Sequence, residues 1–314
     1  MTEANKKIIC VSIPCYNEEK NILALYNCIR HEFETNLSEY EYLVQFIDNC
    51  STDNTQTIIR KLCKENRNVR AIFNAKNYKS NSALYGMLQA EGDCIIYLSA
   101  DFQDPIEKIP ELVREWELGS LIVAAIKSTN KDHKLKSIAR SIYYKLMKRF
   151  STVGFIEQFC NFGLYDRKFM DTIRKLKNPY YSIRGNVSEY GYDISYISYE
   201  QPKRKHGKSN YNVWKLINLA IDNFVNYTDI ILRLATVIGF VCSFLFFIIG
   251  AVYFILKLTQ WSSFSNGVAP ILIGIFFIGA LQTFLLGIIG EYVLAVKKKV
   301  TDSPLVIEKE RINF

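Results

Sequence analysis

Residues 94–105 read Cys-Ile-Ile-Tyr-Leu-Ser-Ala-Asp-Phe-Gln-Asp-Pro, which places Asp101 just past an apolar run, with Gln103 and then Asp104-Pro105 close behind. A carboxylate and an amide carbonyl at that spacing are oxygen ligands for a hard cation, Mg²⁺ or Mn²⁺, and for the phosphates such a cation carries. Ile95, Ile96 and Leu98 form a short run rich in β-branched residues between Gly92 and Pro105, which predicts a central parallel strand. Ligands of open α/β sheets bind beyond the carboxyl ends of the strands, so Asp101 and Gln103 fall where chemistry would be done. Asp104 has a second reading, as the N-cap of a helix whose first position is Pro105. No comparable structural role suggests itself for Asp101.

Alternating strand and helix segments must position these residues. Ile8–Ile13 is strand-like, and Asn17-Glu18-Glu19 is expected to cap a helix with acidic residues in its first turn. Tyr42–Ile47 predicts a second strand, and Asp48-Asn49-Cys50-Ser51-Thr52-Asp53 leads into a helix through Ile58, Ile59 and Leu62. Val69–Phe73 predicts a third strand, Ser82–Ala90 a helix, Cys94–Leu98 a fourth strand and Leu121–Ile126 a fifth. Such repeated units imply an α/β domain with a mostly parallel sheet and helices on both faces. Asp48 and Asp101 then both emerge at carboxyl strand ends. No G-x-G-x-x-G or Walker loop occurs, which argues against the usual dinucleotide and P-loop binders.

At 314 residues the chain exceeds one typical domain, and its last third contains two long uncharged stretches, Leu234–Leu256 and Val268–Gly290. Each is long enough to cross a bilayer as a helix of about 20 residues, and neither has the polar stripe of a buried soluble helix. Lys203, Arg204, Lys205, Lys208, Lys215 and Arg233 precede the first stretch, Lys297, Lys298 and Lys299 follow the second, and the loop between has only Lys257. The positive-inside rule therefore predicts both flanks in the cytoplasm. No apolar run lies near Met1, so no signal peptide is expected. Along residues 212–229, Val213, Leu216, Ile217, Ala220, Phe224 and Val225 recur at helical spacing. This suits a helix lying in the membrane interface, with an amphipathic helix packed on the soluble domain as the alternative.

Eight cysteines without a Cys-x-x-Cys pair, several of them inside apolar runs, read as reduced thiols. With only His31, His133 and His206, a zinc site is a poor reading. The net charge of +8 gathers beside the apolar stretches, which favours lipid headgroups and a phosphorylated substrate over nucleic acid.

In order, Pro14-Cys15-Tyr16-Asn17-Glu18-Glu19, Asp48-Asn49-Cys50-Ser51-Thr52-Asp53 and Ala100-Asp101-Phe102-Gln103-Asp104-Pro105 resemble the family 2 glycosyltransferases of GT-A fold. Arg204-Lys205-His206-Gly207-Lys208-Ser209, the paired apolar stretches and Gly290-Glu291-Tyr292 narrow the resemblance to the polyprenyl-phosphate group, which includes bactoprenol glucosyltransferase and dolichol-phosphate mannose synthase. The resemblance implies that Pro14, Tyr16 and Glu18 line the nucleotide pocket, that Asp48 contacts the uridine, and that Asp101 and Gln103 hold the metal. Ser99 and Lys127 join the donor-sugar site. Arg140 matches a phosphate-binding Arg, and Arg204 and Ser209 match a loop closing over the diphosphate, although that basic run also reads as a solvated or headgroup-binding surface. Asp101, Arg140 and Arg204 are the residues expected to carry catalysis.

Two departures stand out. Relatives have Asp-x-Asp where this chain has Ser99-Ala100-Asp101, and an acidic residue proposed as the base where this chain has Asn161. A phosphate acceptor loses its second proton near pH 6, so it needs no base at neutral pH.

These readings together predict a GT-A catalytic domain over residues 1–211, an interfacial helix over 212–231, a transmembrane hairpin over 232–296 and a cytoplasmic tail over 297–314. The expected activity is metal-dependent, inverting transfer of a sugar, glucose first, from a UDP-sugar to polyprenyl phosphate at the cytoplasmic leaflet. Self-association is left open. A processive polysaccharide synthase would need more spans and a Gln-x-x-Arg-Trp signature absent here. A non-catalytic membrane scaffold, suggested only by Ser99 and Asn161, is the alternative from another class.

Overall fold

The computed structural model describes residues 6–128, 156–176, 183–202, 268–300 and 304–314, with scattered positions between 145 and 259. Two compact units emerge: one of residues 1–140, 154–210 and 303–314, the other of residues 141–153 and 211–302. The first unit contains strands β1 (Ile8–Cys15), β2 (Glu41–Asp48), β3 (Val69–Asn74), β4 (Cys94–Tyr97), β5 (Ile122–Lys127), β6 (Phe159–Asp166), β7 (Ile194–Tyr199) and β8 (Glu308–Ile312). Its described helices are α1 (Ile22–Asn36), α2 (Thr55–Glu65), α3 (Ser80–Gln89), α4 (Ile109–Glu117), α5 (Arg167–Lys175) and α6 (Ile183–Tyr190).

The strands form one sheet in the order β7-β5-β6-β4-β1-β2-β3-β8. β1 pairs in parallel with β2 and β4, β2 with β3, and β5 with β7. The expected mostly parallel α/β sheet is therefore present, with two antiparallel strands that periodicity did not announce, β6 and β8. Side chains alternate across the strands. Ile9, Val11 and Ile13 of β1 pack into one core with Leu25 and Ile29 of α1, Ile59 of α2 and Leu112 of α4. Cys10 joins the opposite core with Leu84 and Met87 of α3, Phe169 of α5 and Val187 of α6. Both faces are thus covered by helices, as the near-continuous apolar strands require.

Glycine is needed where β6 crosses β5. A Cβ on Gly163 would lie 2.4 Å from the Val123 carbonyl oxygen, a backbone atom held by strand pairing. Gly163→Ala is expected to destabilise the domain by about 1–3 kcal/mol, the usual cost of overpacking. A thermal melt of the purified variant checks this; an unchanged midpoint would refute it.

In the second unit the second apolar stretch lies within one continuous helix, α7 (Val268–Val300). Among the described residues, no helix is long and apolar enough to cross a membrane. The backbone of α7 nevertheless runs unbroken for 33 residues. The first apolar stretch, Leu234–Leu256, lies almost wholly outside the described residues, and the expected interfacial helix over 212–231 lies wholly outside them.

Residues 297–314, read from sequence only as a tail, bring the chain back to the sheet. β8 pairs antiparallel with β3, Ala71 opposite Ile312 and Phe73 opposite Glu310. Arg60 of α2 donates to Glu310 at 2.6 Å, Tyr85 of α3 donates to Glu308 at 2.8 Å, and Asn313 donates to the carbonyls of Cys63 and Val69, each at 2.8 Å.

Candidate functional site

Strand register gathers the chemistry-bearing residues at one edge. β1, β2 and β4 run parallel, so Cys15, Asp48 and the segment after Tyr97 end together. β6 runs the other way between β4 and β5, with Gly163 opposite Tyr97 and Phe159 opposite Ile126. Its first residues, including Asn161, therefore arrive at the carboxyl ends of its neighbours. β7 pairs Tyr199 with Lys127 at the same edge.

The loops leaving β1, β2 and β3 are stitched to one another. Asn17 Oδ1 accepts from Thr52 N at 2.8 Å, the Glu18 amide donates to Thr55 Oγ1 at 2.8 Å, and Glu19 Oε2 accepts from Asn54 N at 3.0 Å. Asn49 links onward: its Oδ1 accepts from Tyr78 N at 2.8 Å and from Asn74 at 3.2 Å, and its amide donates to Asn77 at 3.0 Å. The four loops after β1–β4 each include a non-glycine residue in the left-handed region, Asn17 (φ 57°), Cys50 (63°), Lys79 (53°) and Phe102 (58°). Backbone of this kind persists only where surroundings over-determine it, and it clusters at ligand sites.

These bonds correct the expected capping by Asn17. Helix α1 starts later, at Ile22, with no acidic residue in its first turn. Asn17 faces the neighbouring loop instead, because a short amide held at positive φ reaches across to Thr52 more readily than down to a helix that begins five residues later.

Asp48 is completely buried at the end of β2. Its Oδ2 accepts from Gln56 Nε2 at 2.6 Å and from Ser51 N at 3.1 Å, whereas Oδ1 has only a 3.4 Å approach from Ser51 N. Oδ1 therefore keeps acceptor capacity for a further donor. Pro14, Tyr16 and Glu18 follow on the adjacent strand end, with Tyr16 exposed and Pro14 and Glu18 partly so. Glu18 accepts from Asn21 at 2.6 Å.

Beyond β4, Asp101 is 7% exposed and its Oδ1 accepts from the Gln103 amide at 3.2 Å. Asp104 is not the helix cap that its place before Pro105 suggested. A 3₁₀ turn, Ile106–Lys108, comes first, α4 begins at Ile109, and neither has a side-chain cap. Instead Asp104 accepts from Ser99 N at 2.9 Å, from Ser99 Oγ, and from Tyr199 OH at 3.3 Å. A buried carboxylate satisfied by three donors is worth more than a solvated cap. Burial raises its pKa, opposed by the Ser99 bonds and the Lys127 charge and reinforced by Asp101. Tyr199, edge-on to Phe162 at 5.3 Å, has its phenol pKa pushed up by burial and then by the Asp104 charge.

Asn161 is a pin. At φ 73° its Oδ1 accepts from Arg184 N at 3.1 Å and its carbonyl from Tyr165 OH at 2.5 Å. Tyr97 is pushed up by burial and by Asp104, with a hydrogen bond to Asn161 acting the other way.

The register therefore brings Pro14, Tyr16, Glu18, Asp48, Ser99, Asp101, Gln103 and Lys127 to one edge. Arg140, Arg204 and Ser209 lie outside the described residues. Asn49, Gln56, Asp104 and Tyr199 went unread as site residues. For Asn49, its place inside a loop rich in Asp, Asn and Ser was the available signal. For Tyr199 there was none, since its partner is remote in sequence.

Asp101 and Gln103 offer one carboxylate and one amide oxygen. That set suits Mg²⁺ or Mn²⁺, which take most of their other ligands from phosphates and water. Among the described residues no group of three or more His, Cys, Asp or Glu converges, so a cation here would depend on its phosphate ligand.

The chain is similar to known proteins along most of its length. Residues 10–174 match the model of glycosyl transferase family 2. The chain is 31% identical over 304 residues to the SfII prophage-derived bactoprenol glucosyl transferase of Shigella flexneri, covering 96% of this chain and 97% of that one. It is 32% identical over 287 residues to the prophage bactoprenol glucosyl transferase homolog of Escherichia coli K12, covering 91% and 93%. The bactoprenol glucosyl transferase of Shigella phage SfX is 31% identical over 305 residues, covering 96% and 99%. A domain matched over more than half the chain, with relatives matched almost end to end, makes this protein a member of glycosyl transferase family 2.

Proposed function

We propose that the protein transfers glucose from UDP-glucose to a polyprenyl phosphate at the cytoplasmic face of a membrane. The observation that carries this reading is the convergence of Asp48, the Ser99–Asp104 segment and Lys127 on one sheet edge. The names of the relatives support glucose and a bactoprenol lipid. The charge-free stretch Val268–Gly290 of α7 would measure about 34 Å at 1.5 Å per residue, enough for a hydrocarbon core of about 30 Å. With Leu234–Leu256 it forms the proposed hairpin.

Asp48 receives the uracil ring through its less occupied Oδ1, with Pro14, Tyr16 and Glu18 along the nucleotide. Asp101 and Gln103 hold Mg²⁺ or Mn²⁺, whose contribution is to offset charge on the diphosphate. Lys127 adds positive charge from β5, and Arg140, Arg204 and Ser209 bind phosphate oxygens. A phosphate oxygen of the lipid attacks the anomeric carbon as that carbon's bond to UDP breaks, inverting the centre and releasing UDP. No proton is removed, because the acceptor is a dianion above about pH 6. Asn161, occupied with Arg184 and Tyr165, fits a reaction without a protein base.

Membranes bearing the protein, incubated with radiolabelled UDP-glucose and polyprenyl phosphate, are expected to yield labelled lipid on organic extraction. The rate rises with pH through about 6 and levels off, following the second ionisation of the acceptor. Asn161→Asp leaves that profile in place. A scaffold would give no labelled lipid at any pH, and that outcome would overturn the reading.

A further inference from the structure

The strand that closes the sheet ends beside the donor loops. Pairing of β8 with β3 extends to Asn74, opposite Glu308, and the next amide, Ala75 N, donates to the Ile307 carbonyl at 2.9 Å. Asn74 is the residue whose side chain donates to Asn49 at 3.2 Å and to Ser82 at 2.8 Å. Asn49 in turn holds Tyr78 and Asn77 and is the neighbour of Asp48. The same segment grips the two helices that follow these loops. Glu310 takes Arg60 of α2, and Glu308 and Arg311 take Tyr85 and Gln89 of α3. Asn313 bridges the Cys63 and Val69 carbonyls.

We propose that residues 304–314 are a positioning element for the donor nucleotide: β8 braces the loop 74–79 and, through Asn49, the carboxylate of Asp48. This rests on the donor site proposed above. The physical reason is that β3 is otherwise an edge strand. Its outer amides and carbonyls would exchange with water, and the loop following it would lose the anchor at Ala75 N. Loops are held by the scaffold beneath them, and here that scaffold includes a segment more than two hundred residues away in sequence.

The test uses three forms of the protein in membranes or detergent: the full chain, the chain ended at Asp302, and full-length Asn313→Ala. UDP alone serves as the probe. The ended chain is expected to bind UDP at least about tenfold more weakly, and amides of residues 75–79 to exchange at least about tenfold faster. Asn313→Ala should shift both in the same direction by less. In the transfer assay the KM for UDP-glucose rises while kcat stays within about threefold, because the brace orders the donor loop and touches no reacting atom. A synthetic peptide of residues 303–314 added to the ended chain should restore UDP affinity. Equal UDP affinity and equal exchange in the full and ended chains would overturn the brace while leaving the donor site intact. Failure of the full chain to bind UDP at all would overturn both.

Discussion

Asp101→Asn is expected to lower the proposed glucosyl transfer by about 10²-fold or more, the scale on which a lost electrostatic contribution to the transition state is felt. The substitution is chosen because it separates chemistry from folding. Asn keeps an Oδ1 to accept from the backbone amide of Gln103, and it has nearly the same volume in a position only 7% exposed. The melting temperature should therefore hold while the charge proposed to retain a divalent cation is gone. EDTA is expected to impose a loss of similar size on the parent, with Mg²⁺ or Mn²⁺ restoring it. Initial rates under both conditions decide the matter; full activity in EDTA, or in the variant, would remove Asp101 from the reaction. Asp104 would be the wrong residue to change for this purpose, because it is the acceptor for Ser99 and Tyr199 and its loss would disturb the segment that carries Asp101.

Asp48→Ala is expected to lower kcat/KM for the UDP-sugar by roughly 10- to 10²-fold, almost all of it in KM. A hydrogen bond to a charged group contributes about 1.5–3 kcal/mol, and Asp48 is the acceptor for Gln56 at 2.6 Å as well as the proposed partner of uracil. Direct titration with UDP checks this. If the variant melts lower yet binds UDP as well as the parent, Asp48 is a loop anchor and the uracil contact is withdrawn.

Much of the sheet was legible because its central strands are buried on both faces and so read as short apolar runs. β1, β2, β3, β4 and β5 all stand where the pattern predicts them, within a residue or two. β6 was not, since in Phe159–Asp166 a cysteine and an asparagine follow the first residue and break the apolar run, and the strand includes a glycine that only the approach of Val123 explains. β8 was hidden for a different reason. Glu-Lys-Glu-Arg-Ile has the composition of a solvated tail, and its place in the sheet is set by partners on α2 and α3. At the site, Asp48 and Asp101 could be placed from strand ends alone. The role of Asp104 could not, because capping is a local rule and Ser99 and Tyr199 compete for the same carboxylate through tertiary structure. Asn17 failed as a helix cap by the same logic.

The closing of the sheet by β8 also sets an order of events during synthesis. β3 is made early, and its partner emerges only after α7, so Ala71–Asn74 wait with an unpaired edge while the apolar stretches leave the ribosome. Pairing at such long sequence separation is slow, and an open strand edge is the surface on which nascent chains associate wrongly. Pairing of β8 with β3 is therefore a late step in the maturation of this enzyme, and the proposed brace makes donor affinity a property that follows it.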